Sequence, residues 1–310
     1  MKPIRVTSWN ELNDALYAES WNEPLGRFRS NFAFRGMGRN PEELTTTLSR
    51  LGGQYARNEG HLLRNFRKFA HKSVFPFLGD SVWNWLALGQ HHGLPSRLLD
   101  WTFSPFVALH FVTQNLERYD LDGVVWCVDY VKAHQLVPPP LRKALRDEQA
   151  DVFTTEMLER VAPTLPQFDR LSKRGGPFTV FIDPPSLDER IVNQFALLSM
   201  MSSPRAQLDE WLAGHPALCR RIVIPAGLKW EIRDRLDMAN ITERVLFPGL
   251  DGLSRWLKRY YRPRTDLTRR AREGVTDGDE QGEFPTDQDS RNGARVALRG
   301  RRARHRSSGT

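Results

Sequence analysis

Between Trp85 and Pro105 the chain sets two histidines, an arginine and an aspartate among apolar residues and two tryptophans. The run reads through Gln90-His91-His92-Gly93-Leu94-Pro95, Ser96-Arg97-Leu98-Leu99-Asp100 and Trp101-Thr102-Phe103-Ser104-Pro105. Ionisable groups surrounded by apolar residues are costly to bury unless they are paired or hydrogen-bonded. The stretch is therefore either a rigid polar network or a site, and any fold for this chain has to bring partners to it.

The flanking pattern is one of helices mixed with strands. Ser8-Trp9-Asn10-Glu11 has the form of a capping box, and Leu12, Ala15 and Leu16 follow at helical spacing, which predicts a helix over 9–21. Asn31 to Gly36 alternates apolar residues and stops at glycine, as a short strand entering a turn does. Leu62, Leu63, Phe66 and Phe69 share one face of a helix expected over 61–71, with Arg64, Arg67 and Lys68 opposite. A helix over 83–90 ends before Gly93 and Pro95, and Arg97 to Trp101 reads as a strand. Ser104-Pro105 then gives a capped start to a helix carrying Phe106, Leu109, Val112 and Leu116. Val124 to Val128 is a continuous apolar run, expected of a central strand. Strands are also expected at 178–182 and 221–225, and helices near 206–213, 228–236 and 250–260. The sum is an α+β fold of mixed, largely antiparallel small sheets packed with helices. Its expected organisation is a helical lead-in over 1–30, a domain over 31–262 interrupted by loops and short helices at about 132–175, and a tail over 263–310. The tail is arginine-rich and poor in apolar residues, so disorder is expected there.

Several chemistries find no support. Adjacent histidines diverge on any regular element, and no His pair at i, i+4 with a third ligand occurs, so no metal site is expected. Ser96 with His92 and Asp100 lacks the G-x-S-x-G turn of a hydrolase nucleophile. Gly36-Met37-Gly38 is only part of a dinucleotide fingerprint. Cys127 and Cys219 lie beside apolar runs and read as buried thiols, without a disulfide framework, which suits a reducing compartment. No apolar stretch has membrane-spanning length and Met1-Lys2-Pro3-Ile4 opens no signal-peptide core, so a cytoplasmic protein without a membrane partner is expected. The formal net charge of +8 favours a polyanionic partner such as RNA or DNA, bound in a salt-dependent way. Part of that charge lies beyond Pro263, where eleven Arg face eight Asp and Glu.

Phe34-Arg35-Gly36, the basic amphipathic helix after it, Trp85-Leu86-Ala87 and the run from Gln90 to Thr102 together resemble the FRG domain family. Arg190 to Gln194 and Phe247-Pro248-Gly249-Leu250 extend the resemblance downstream, while Ser96 stands where the family more often carries Thr. A more distant resemblance, to the ADP-ribosyltransferase pattern, orders an Arg, a Ser/Thr-bearing strand feeding a helix, and a carboxylate. It implies an effector of bacterial toxin or phage-defence type that uses NAD as co-substrate and modifies a macromolecular target, nucleic acid included. Under it Arg35, beside Gly36, holds the pyrophosphate with its planar fork of donors. Thr102 or Ser104 bonds the nicotinamide ribose, Trp101 or Phe103 stacks on nicotinamide, and His91 or His92 binds the adenosine ribose or moves protons. Gln194 stands near the place of the family's catalytic glutamate and cannot ionise, which leaves Asp100, Asp188 or Glu189 to supply a carboxylate. Gln194, Asp100 and His92 are thus the candidate catalytic residues. Arg35, Gly36, His91, Trp101, Thr102 and Ser104 are the candidate NAD-binding ones.

The same residues have structural readings. Arg35 and Asp100 can form a buried ion pair, His91 and His92 can cap the helix ending at Gln90, and Trp85 and Trp101 can be core. Gln194 can satisfy main-chain groups. The alternative function is a non-catalytic module that binds nucleic acid or a protein, a protein regulator among them.

Overall fold

Among the described residues, 2–40, 43–70, 79–186 and 188–264, the computed structural model forms ten strands. These are β1 (Ile4–Arg5), β2 (Trp21–Asn22), β3 (Arg27–Phe28), β4 (Phe32–Met37), β5 (Leu98–Thr102), β6 (Gly123–Asp129), β7 (Phe153–Thr154), β8 (Thr179–Asp183), β9 (Ala196–Met201) and β10 (Cys219–Ile224). β2 and β3 pair with each other, and the rest join one sheet in the order β1-β10-β6-β4-β5-β9-β8-β7. Its two edge pairs, β1 with β10 and β7 with β8, are parallel, and the pairs between them are antiparallel. The mixed, largely antiparallel class expected from the sequence is the class adopted, with eight strands in one sheet instead of several small ones. The apolar run in β6 is buried along its whole length, as a central strand covered on both faces should be.

The helices are α1 (Trp9–Tyr17), α2 (Tyr55–Phe69), α3 (Val82–His91), α4 (Pro105–Thr113), α5 (Tyr130–His134), α6 (Pro139–Asp147), α7 (Thr155–Val161), α8 (Leu165–Leu171), α9 (Glu189–Asn193), α10 (Leu208–Ala213), α11 (Lys229–Met238), α12 (Glu243–Leu246) and α13 (Leu250–Tyr260). The caps legible in the sequence form. Ser8 Oγ accepts from Glu11 N at 3.3 Å, and the Glu11 carboxylate returns to Thr7 N at 2.7 Å. Ser104 Oγ accepts from Val107 N at 3.4 Å, with Pro105 opening α4. The first 30 residues do not stand apart: β1 extends the sheet, Leu12 and Leu16 are fully buried, and Met1–Tyr260 is one compact unit. The segment 132–175 holds α6, α7, α8 and β7, and buries Leu141, Phe153, Leu158 and Phe168. The expected disordered tail falls, beyond residue 264, outside the described residues.

One face of the sheet carries a single core, in which Ala33, Trp101, Trp126 and Leu197 meet Leu208 and Leu212 of α10. The opposite face carries two. Over β10, β6 and β4, Ile222, Val125 and Phe34 pack on α1, α4 and α11. Over β5, β9 and β8, Leu98, Met200 and Val180 pack on α2, α3, α7 and α8. Buried ions fasten helices to these cores. Arg97, beside β5, bonds Glu59 of α2 and Asp169 of α8, at 2.6 Å and 2.5 Å. Arg259 of α13 bonds Glu243 at 2.6 Å and Asp237 at 2.7 Å, and fully buried Arg233 bonds Asp237 at 3.0 Å. Each such cation is costly to bury alone and strongly destabilising to leave unpaired. Cys127 and Cys219 are buried and form no disulfide, and burial pushes their thiols up to about 12 and about 11.

Two histidines in these cores are held neutral. His134 Nε2 accepts from Phe181 N at 2.8 Å, so its proton sits on Nδ1, 2.8 Å from Asp151 O. Burial pushes His134 down to about 4. Burial, with the Arg233 charge adding to it, pushes His110 down to about 3. Below an ordinary histidine pKa the unfolded chain binds protons that these native rings refuse. Stability is therefore full above about pH 6.5 and is lost as pH falls towards the native values, by about 1.4 kcal/mol per pH unit for each ring. His134→Gln should flatten the loss between about pH 6.5 and 4 by that amount, measured as the difference in urea-unfolding free energy between wild type and variant across the range.

Candidate functional site

β4 and β5 meet at one residue pair, Phe34 with Thr102, whereas β4 pairs with β6 over six positions and β5 with β9 over five. Beyond that pair the strands part, and on one face the two cores part with them. The gap is a cavity of about 250 Å³. Arg35 and Gly36 of β4, Asp100 and Thr102 of β5, Gln90 and His91 of α3, Phe111 of α4 and Gln114 at its end, and Arg190 and Gln194 around α9 line it. Strands that separate leave main-chain groups without ladder partners. Arg35 answers one of them, with Nη1 donating to Asp100 O at 2.5 Å. Gly36 serves a steric need, because α4 lies directly on β4. A Cβ at Gly36 would stand 1.8 Å from Ala108 O and 3.0 Å from Val112 Cγ2.

The polar residues of the cleft are held in fixed orientations. Asp100 Oδ2 accepts from Gln90 Nε2 at 2.9 Å. Gln90 Oε1 accepts from Ser96 Oγ at 2.7 Å, and Ser96 Oγ accepts from Leu98 N at 3.0 Å. The Ser96 hydroxyl thus sets the Gln90 amide, which in turn holds Asp100. Thr102 Oγ1 donates to Gln194 O at 2.7 Å and accepts from Ser104 N at 3.0 Å. Gln194 Nε2 donates to Leu246 O at 2.8 Å. A glutamate at 194 could make no such donation when ionised, so the fold gives glutamine a structural reason to stand there. His91 Nε2 lies 2.5 Å from Asp188 Oδ2, and its side chain is 13% exposed. Burial lowers the His91 imidazole, and the Asp188 charge only partly offsets it. Burial raises the Asp188 carboxyl, but hydrogen bonds from Ile191 N and His91 outweigh it and hold Asp188 below the usual carboxylate range.

Arg35, Gly36, His91, Asp100, Thr102 and Gln194 all line this one cavity. Three other candidates do not reach the cleft with their side chains. Trp101 belongs to a strand bordering the cavity, but successive side chains alternate between faces. Its indole lies on the face opposite Asp100, 4% exposed, with Nε1 donating to Ser199 Oγ at 2.8 Å. Trp101 is a core residue, not a stacking surface. The Ser104 hydroxyl is engaged as the α4 cap and does not line the cavity. His92 is exposed at the end of α3, outside the cavity, where its N–H caps Leu88 O at 3.1 Å.

The structure adds residues that sequence reasoning passed over. Arg190 brings a second guanidinium to the cleft, 5.1 Å over the Phe247 ring, and its buried Nε has no hydrogen-bond partner among the described residues. The signal was present, since Arg190 and Gln194 are one helical turn apart and share a face. Gln90, which opens the recognised run but was given no role, and Gln114, which no motif announces, supply amides.

Residues 30–120 match the FRG domain family, and the chain carries an FRG domain. No curated protein and no solved structure matches the chain. No helix among the described residues is long and apolar enough to cross a membrane.

Gly36 lies inside the matched segment and has no room for a methyl group. Gly36→Ala should destabilise the protein by about 3 kcal/mol or more, since the obstacle is helix main chain that cannot rotate aside. Urea unfolding of the variant against wild type measures the loss.

Proposed function

For this FRG-domain protein we propose an NAD-using group transferase of effector type, which modifies a macromolecular target from the cleft where β4 and β5 part. The observation that carries the reading is the pair of arginines, Arg35 and Arg190, in the lining of one small cavity, Arg35 with Nη1 on Asp100 O at the seam and Arg190 with a buried Nε lacking a partner among the described residues. An anionic group with acceptor oxygens is what such donors suit, and a pyrophosphate offers several at once.

The other residues fit the same ligand. At about 250 Å³ the cavity is smaller than the ~300–1,000 Å³ sites that enclose drug-sized ligands. It suits a pyrophosphate and one nucleoside, with the other nucleoside running along the rim. Gln90 and Gln114 offer hydrogen bonds to ribose hydroxyls or to the nicotinamide amide. Asp100, fixed by Gln90, is the carboxylate on the cavity wall, placed to stabilise positive charge developing on the ribose. When bound, NAD supplies an activated ribosyl carbon with nicotinamide as leaving group.

Calorimetric titration with NAD tests the reading. Wild type should bind, and Arg190→Ala should bind about 10- to 100-fold more weakly, the range expected for lost hydrogen bonds to a charged group. Labelled NAD incubated with wild type and a cell extract should pass label to a macromolecule. Absence of both binding and label transfer would overturn it.

A further inference from the structure

The cleft does not end at His91 and Arg190. Both residues also line a second, more open groove of about 460 Å³, whose other walls are Asp188, Glu189, Phe247, Pro248, Asp251 and Arg255. The balance of charge reverses between the two. Inside, Arg35 and Arg190 outnumber Asp100. Outside, Asp188, Glu189 and Asp251 outnumber Arg190 and Arg255. A group-transfer site needs a place for the acceptor next to the donor, and this groove shares two residues with the cleft.

Resting on the NAD reading above, we propose that His91, oriented by Asp188, is the base that takes the proton of an attacking hydroxyl, and that the outer groove is where a protein target presents that hydroxyl. The geometry is that of an oriented imidazole. Asp188 Oδ2, 2.5 Å away, can only accept, so the ring proton sits on Nε2 and the lone pair on Nδ1. The charged and titratable groups around the ring are Asp188 and Arg190 from α9 and His92, whose ring lies 5.1 Å away. Burial, Arg190 and His92 all oppose a charge on His91, which keeps it in the base form at neutral pH.

The acceptor class follows from what such a site would help. A carboxylate or thiolate is already ionised and needs no base. A lysine or arginine side chain is a cation that holds its proton far more tightly than an imidazole of lowered pKa can take it. A hydroxyl is the nucleophile that a neutral imidazole improves. A nucleic-acid backbone would bring its phosphates against three carboxylates, so the hydroxyl belongs to a protein. In the balanced step the hydroxyl oxygen bonds to C1′ of the ribose as the bond from C1′ to nicotinamide breaks. The bonding pair leaves with nicotinamide, which departs neutral, and the hydroxyl proton passes to His91 Nδ1 and on to water.

The test compares wild type, His91→Gln and Asp188→Asn, the last keeping a cap residue for α9. His91→Gln should still bind NAD by calorimetry, and its transfer rate is compared with wild type at saturating NAD. It should transfer label to protein about 10²- to 10⁴-fold more slowly and lose the acid limb of the kcat/KM profile. In NMR titration of the NAD-free protein, the His91 pKa should lie below an ordinary histidine's and fall further in Asp188→Asn. Mass spectrometry should find the label on Ser, Thr or Tyr. Wild-type transfer with an unchanged rate and pH profile in His91→Gln overturns the role of His91 and leaves the NAD reading standing. Label on nucleic acid, or on Lys or Arg, overturns the acceptor assignment. If wild type neither binds nor cleaves NAD, the NAD reading fails and takes this proposal with it.

Discussion

The contact between the α4 main chain and Gly36 is the constraint on which the cleft depends. With no side chain between them, helix and strand touch backbone to backbone, which fixes α4 to the β4 half of the sheet at short distance. The other half, from β5 to β7, carries its own core and its own helices on that face. The strands of the two halves pair at a single position, Phe34 with Thr102, and the cleft is the seam above that pair. A cavity made this way is lined by strands and packed helices, so its polar groups inherit the rigidity of the sheet.

Rigidity is extended by charge. Arg97 ties α2 and α8 to the neighbourhood of β5, while the bonds among Arg233, Asp237, Glu243 and Arg259 tie α11, α12 and α13 together. Arg233 also reaches His110 on α4, at 3.0 Å, so the helix that walls the cleft is anchored from behind. The main-chain oxygen of Leu246, which holds Gln194, belongs to this same region. The orientation of a cleft residue is thus set by ion pairs more than a hundred positions downstream of Gly36.

Much of this was legible from local rules. The Ser8 and Ser104 caps, the buried run in β6 and the amphipathic α2 each rest on a spacing or a residue type that acts within one turn or one strand. The convergence of Arg35, Asp100, Thr102 and Gln194 was legible through family resemblance, since nothing local joins residues so far apart. The misplacement of Trp101 had a local remedy: if Asp100 and Thr102 face the cleft, the residue between them cannot. Arg190 was missed because it sits among charged neighbours, where a functional arginine and a solvated one look alike. The helices between 132 and 175 lack long periodicity because each spans only a turn or two, and packing on the sheet stabilises them more than propensity does.

The matched residues 30–120 include β4 and β5, the two strands at the seam, but neither of their outer partners, β6 and β9. Cut out alone, that segment would present two bare strand edges, the kind of surface that templates pairing between chains and aggregation. It would also lack Arg190 and Gln194, and with them one wall of the cleft. The recognisable part of this protein is the middle of a larger object, and a soluble, site-bearing fragment has to run on to the ion pairs of Arg259.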